Sequence, residues 1–135
     1  MRIAVMRLAR LLRPTEAGAA ADLSPTRVAV LLNAVRNGPV RFSQVAEDEG
    51  LNPTLLSRTV AQLAEAGLVT RSTDAEDRRS AWLEATAAGQ RLAQRIRAER
   101  AHAMELALAT LGAADRDALE AALPALESLA EELNR

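Results

Sequence analysis

Apolar residues recur every three or four positions along most of this chain, and they alternate in only one region. The first rhythm predicts amphipathic helices and the second predicts strands. Ile3 to Leu12 reads as a helix, and the Ala- and Gly-rich stretch Pro14 to Asp22 reads as a loop. Ser24 then caps a helix whose first position holds Pro25, and Val28, Leu31, Leu32 and Val35 form its apolar stripe. Asn37-Gly38-Pro39 stops that helix, with Gly38 available for a left-handed residue and Pro39 unable to continue. Val40 to Phe42 reads as a short strand. Ser43 caps a helix over Gln44 to Glu49, with Val45 and Ala46 turned inward, and Gly50 breaks it. Asn52 caps the next helix and Pro53 opens it. Its Leu56, Val60 and Leu63 fall on one face and its Thr54, Ser57, Arg58 and Ala61 on the other, and Gly67 ends it.

The alternating region follows. Leu68 to Ser72 and Ser80 to Ala85 read as antiparallel strands, with Ala81, Leu83 and Ala85 on one face of the second and Ser80, Trp82 and Glu84 on the other. The turn between them carries Asp74, Glu76, Asp77, Arg78 and Arg79. A long helix follows from Thr86 to Leu111 on Leu92, Ile96, Ala103, Ala107 and Leu111, and Gly112 ends it. The last helix starts near Asp115, with Leu119, Leu123, Leu126, Ala130 and Leu133 as its stripe. Pro124 lies inside that stripe and predicts a kink, because it removes one helical hydrogen bond. The pattern gives a mostly α fold with a small antiparallel β-wing.

Composition narrows the chemistry. A chain of 135 residues predicts one domain over 1–135. Phe42 and Trp82 are its only aromatics, so the core must be aliphatic. The absence of cysteine excludes disulfides, thiolate metal sites and thiol redox sensing. His102 is the single histidine, too few for a zinc site, and no metal or cofactor is expected. Nothing converges on catalysis, and the chain lacks a glycine-rich phosphate loop, so an enzyme is not expected. No apolar run reaches the roughly 20 residues that span a bilayer. Arginines at 2, 7 and 10 interrupt any signal-peptide core, which predicts a cytoplasmic protein without membrane partners.

Charge bears on any nucleic-acid partner. All basic residues except His102 are arginine, and the net charge is −1, so a DNA-binding surface must be a local patch. Met1 to Arg13 holds four arginines and no acid, whereas Asp115 to Arg135 holds six acids and two arginines. These segments either pack together, within a subunit or across a dimer, or are simply solvated.

The segment Ser43 to Arg71 reads as helix, tight turn, helix, then strand: a helix-turn-helix followed by a wing. Such a unit places the exposed face of its second helix in the major groove. That face offers Thr54, Ser57 and Arg58 for phosphate or base edges and Leu55 for an apolar contact such as a thymine methyl. Asn52 stands at the helix start, where free N–H groups suit a phosphate. Arg79 at the hairpin tip suits the narrow minor groove, with Asp77 placed to hold its guanidinium. The alternative is a winged-helix protein–protein interaction module without specific DNA binding, which the acidic run Glu47, Asp48, Glu49 permits.

Ser43 to Gly89 resembles the DNA-binding core of the multiple-antibiotic-resistance regulator (MarR) family. The resemblance rests on SQVAEDEGLNPTLLSRTVAQLAEAGLVTR, on the D-R-R of Asp77 to Arg79 and on the T-x-x-G of Thr86 to Gly89. The flanks RLARLLRP and LSPTRVAVLLNAVRNGP and the two C-terminal helices extend it over essentially the whole chain. It implies a winged helix-turn-helix over 24–85 with dimerisation helices over 1–22 and 86–135. It implies a homodimer that represses transcription at an inverted-repeat operator in double-stranded DNA and is released by a small ligand, often an anionic phenolic compound. Under it, Arg58 is the recognition-helix arginine, Arg79 the minor-groove arginine, Asp77 its orienting acid and Arg78 a phosphate contact. Ile3, Met6, Leu119, Leu123, Leu126 and Leu133 then form the dimer interface. Arg7, Arg10, Arg13 and His102 are the candidate ligand contacts, though His102 also suits a helix surface or interface. Three departures stand out. Ala85 replaces the usual leucine before T-x-x-G, Pro124 interrupts the last helix, and little N-terminal arm precedes the first helix.

Overall fold

The computed structural model describes residues 1–73 and 80–133, which fall into two compact units, 1–100 and 101–135. The first unit contains α1 (Arg2–Leu11), α2 (Glu16–Ala20), α3 (Pro25–Asn37), β1 (Val40–Arg41), α4 (Phe42–Glu49), α5 (Pro53–Glu65), β2 (Val69–Thr73), β3 (Ala81–Ala85) and the first part of α6 (Ala87–Ala109). The strands form an antiparallel sheet in the order β1-β3-β2. Val40 and Arg71 both stand opposite Leu83, whereas Arg41 and Ser72 both stand opposite Trp82. Directly opposed residues share a face, so Arg71 lies on the Leu83 face and Arg41 on the Trp82 face. The core is aliphatic, as the composition requires. Leu31, Leu56, Leu63, Leu83 and Ile96 are fully buried in it, joined by Val30, Val45 and Val60.

Local chemistry sets most boundaries where the sequence placed them. The Ser24 hydroxyl accepts the Arg27 N–H at 3.3 Å, and Asn52 Oδ1 accepts the Leu55 N–H at 2.8 Å. Gly50 and Gly67 take the left-handed conformation, at φ +62° and +72°, that releases the chain from α4 and α5. The T-x-x-G element acts as a clasp. The Thr86 hydroxyl donates to the Gly67 carbonyl at 2.7 Å and accepts the Gly89 N–H at 3.1 Å. A Cβ on Gly89 would run into the Leu68 carbonyl oxygen, so α6 approaches the wing's first strand as closely as glycine allows.

Three expectations need correction. Pro14 to Asp22 is not all loop: Thr15 accepts the Gly18 N–H at 3.1 Å, and the Glu99 carboxylate accepts the Ala17 N–H at 3.1 and 3.2 Å. The Thr15 cap is local, but the Glu99 carboxylate that completes the end of α2 comes from α6. Gly38 is not left-handed, with φ −69°; it is required because a Cβ would strike the Ala34 carbonyl. Ser43 is not a cap. Arg41 is still extended, and the chain turns straight into α4 at Phe42, which packs partly against the core.

The second unit contains the end of α6 and α7 (Ala113–Leu133). Ala103 and Ala107 are exposed rather than core. Arg116 folds back to donate to the carbonyls of Leu111 at 2.8 Å and Ala109 at 3.3 Å, satisfying groups freed at the end of α6. The last helix runs through Pro124 as one element, and the Pro124 carbonyl accepts the Ser128 hydroxyl at 2.9 Å. Neither α1 nor α7 has a buried residue.

Candidate nucleic-acid interface

The helix α5 is amphipathic in the way a reading helix must be. Leu56, Val60 and Leu63 fix one side in the core, and the C-terminal half is tied to α3 by Arg27, whose Nε donates to Gln62 Oε1 at 2.9 Å. Thr54, Leu55 and Arg58 are exposed on the other side, and Ser57 is half-buried. Asn52 is exposed, but its side-chain oxygen is engaged in the cap. Thr59, which the apolar stripe does not predict, is buried beside Leu56 and Leu63 on that face, with its hydroxyl satisfied by the Leu55 carbonyl at 2.8 Å. The last described pair of the hairpin is Thr73 with Ala81. Asp77, Arg78 and Arg79 lie outside the described residues.

The helix before α5 is held by a buried amide. Asn33, only 1% exposed, donates through Nδ2 to Asp48 Oδ2 at 3.0 Å and Glu49 Oε1 at 2.9 Å. The Asn33 bond, then a bond from Gln44, hold the Asp48 carboxyl below its ordinary range. Sequence reasoning missed Asn33 because it counted apolar positions only.

Two arginines beside the wing were also missed. The Arg41 guanidinium lies 5.1 Å from the Trp82 ring centroid, and that of Arg71 lies 4.6 Å from the Phe42 ring centroid. Only the sheet register brings Arg41 to Trp82, although its sequence neighbour is Phe42.

Of the candidate ligand residues, Arg13 alone reaches a cleft of about 390 Å³ against the outer side of α3. There it meets Arg36, Arg100, Asn33, Glu49 and Leu51. Arg100 donates to the Arg13 carbonyl at 3.2 Å, while its buried Nε has no hydrogen-bond partner among the described residues. Burial, then the nearby Arg13 charge, push the Arg100 guanidinium below its ordinary value. Arg7 and Arg10 instead flank an apolar hollow along α1 with Ile3 and Met6. His102 is exposed in the second unit. Arg36 shares one side of α3 with Thr26, Ala29 and Asn33, but only helix packing brings Arg100 of α6 to it. Among the described residues, no group of His, Asp and Glu could hold a metal, and no helix is long and apolar enough to cross a membrane.

The geometry is that of a winged helix-turn-helix, and the family comparison agrees: residues 23–81 match the model of the MarR family. Residues 23–81 are a MarR-family domain. An uncharacterised HTH-type transcriptional regulator of Mycobacterium bovis is 29% identical over 130 residues, 96% of this chain and 90% of that protein. The crystal structure of MarR superposes with a TM-score of 0.80 at 21% identity, covering 97% of each chain. NadR in complex with 4-hydroxyphenylacetate gives a TM-score of 0.76 at 23% identity, covering 98% of this chain and 87% of that one. A chain that carries this domain is a DNA-binding transcriptional regulator and not an enzyme.

Proposed function

We propose that this MarR-family regulator is a homodimeric repressor that binds an inverted-repeat operator and releases it when a small anionic ligand binds. The observation that carries the DNA-reading half is the exposed face of Thr54, Leu55 and Arg58 on a helix whose opposite side is fully buried. A rigid bed lets base contacts form without ordering the helix first. Ser57 and the N-terminus capped by Asn52 complete this surface, and Arg79 serves the minor groove, with Asp77 as its orienting acid and Arg78 on a phosphate. The winged region is 24–85, and 1–22 with 86–135 dimerise. Support for dimerisation comes from apolar side chains left exposed on α1 and α7: Ile3, Met6, Leu119, Leu123, Leu126 and Leu133. The cytoplasm is its site of action.

The effector reading rests on the cleft lined by Arg13, Arg36 and Arg100, whose positive charge would hold a carboxylate. The bound aromatic carboxylate of NadR gives the class of ligand to try first. Fluorescence anisotropy on the DNA upstream of its own gene, at about 0.15 M salt with Arg58→Ala alongside, tests the reading. Competitor-resistant binding that the variant loses is the expected result. A folded protein that shows no salt-sensitive affinity for DNA would refute it.

A further inference from the structure

The sequence has two aromatic side chains, and each carries an arginine over its ring: Arg41 on Trp82 and Arg71 on Phe42. All four residues flank the wing. Arg41 is on β1 at one edge of the sheet, and Arg71 is on β2 at the other, directly after α5. By register they occupy opposite faces. Both arginines are exposed, and no carboxylate of the described residues pairs with either guanidinium. Arg27, Arg100 and Arg116, by contrast, have guanidiniums engaged by hydrogen bonds. Glu84 lies on the Trp82 face but stands opposite Thr70.

A guanidinium stacked on a ring keeps its edge N–H groups free while its flat face is covered. The stack restricts the long side chain before any partner arrives, and it leaves the positive charge intact. Such a group suits a phosphate oxygen, which takes two N–H bonds from the fork. A hairpin lying in a minor groove about 6 Å wide has a phosphate wall on either side. We propose that Arg41 and Arg71 are phosphate contacts that flank the wing, one toward each strand of the duplex, with Trp82 and Phe42 as the residues that position them. This rests on the DNA-binding reading and adds contacts outside the recognition helix and the D-R-R turn.

Phosphate contacts do not depend on sequence, so the test needs no operator. The full chain is titrated into a labelled mixed-sequence duplex of about 30 base pairs at salt from roughly 0.05 to 0.3 M. Each of Arg41→Gln and Arg71→Gln should reduce the slope of log affinity against log salt by about 0.9, and the double variant by about 1.8. Arg41→Lys, which keeps the charge, should restore the slope. Trp82→Leu should keep the slope while affinity falls, because the charge still reaches the phosphate but is no longer ordered. Unchanged slopes in both Gln variants, with intact wild-type binding, overturn the inference and leave the stacks as sheet-edge packing. Wild-type protein that fails to bind the duplex, or binds without salt dependence, overturns the DNA-binding reading as well.

Discussion

Arg58 stands on the exposed side of α5, and its planar fork fits guanine O6 and N7 together. Arg58→Ala should therefore weaken operator binding by about 1–3 kcal/mol and relax the preference at a single base pair, with the melting temperature unchanged. Competition with duplexes substituted one position at a time would check this, and a uniform loss across positions would make Arg58 a phosphate contact instead. Asn33 is the opposite kind of residue, buried and structural. Asn33→Asp would set a third carboxylate beside Asp48 and Glu49 and remove the donor both accept from. We expect a loss of about 1–3 kcal/mol at pH 7. Burial and like charge raise the new carboxyl above its unfolded value, so the loss should shrink as pH falls and it becomes protonated. Asp48 in the wild type runs the other way. Its folded value is depressed, so its stabilisation is complete above the ordinary carboxylate range and fades as pH falls below about 4. Thermal melts of both proteins across pH 3 to 7 should therefore converge at the acid end, and parallel curves would refute the argument.

Helix ends show what kind of information the sequence carries. Asn52 and Ser43 both look like caps, yet only Asn52 makes the bond. Asn52→Ala should cost about 1 kcal/mol and Ser43→Ala close to nothing, a difference chemical denaturation resolves. Gly89 gives a sharper case. Glycine inside a helix ordinarily loses to alanine by about 1 kcal/mol, but here the Leu68 carbonyl occupies the space a methyl needs. Gly89→Ala should therefore destabilise, and a gain in stability would mean that α6 can shift freely away from β2. The caps at Ser24 and Asn52, the stripe of α5 and the hairpin were legible because their causes lie within a few residues. Short α2 was hidden because its second partner, Glu99, arrives from 82 residues away. The Arg41–Trp82 stack and the cleft arginines Arg36 and Arg100 were hidden for the same reason. The pairing exists only once sheet register and helix packing are set. The reading face of α5 was therefore predictable, and its supports and flanking cations were not.

At the scale of the whole molecule, the open matter is what covers α1 and α7. Leu123 is 52% and Leu133 82% exposed, and Ile3 is 79% exposed, whereas the large aliphatics between α1 and α6 are mostly buried. Large apolar side chains at helical spacing are stable in water when a partner covers them. Under the proposed reading of an inverted repeat, that partner is a second copy of the same chain. In a two-fold dimer each substitution counts twice. Leu126→Asp removes about 2 kcal/mol of apolar burial from each protomer, so it should weaken self-association by about 4 kcal/mol, roughly a thousandfold. Sedimentation velocity should find the wild type dimeric and the variant monomeric. The same variant should lose operator affinity more completely than Arg58→Ala. A dimer places two recognition helices about 34 Å apart on one face of the duplex, and a monomer forfeits the second half-site entirely. An unchanged dimer in Leu126→Asp would take this face of α7 out of the interface. A monomer with undiminished operator affinity would show that one winged unit suffices, and the inverted-repeat requirement would fall with it.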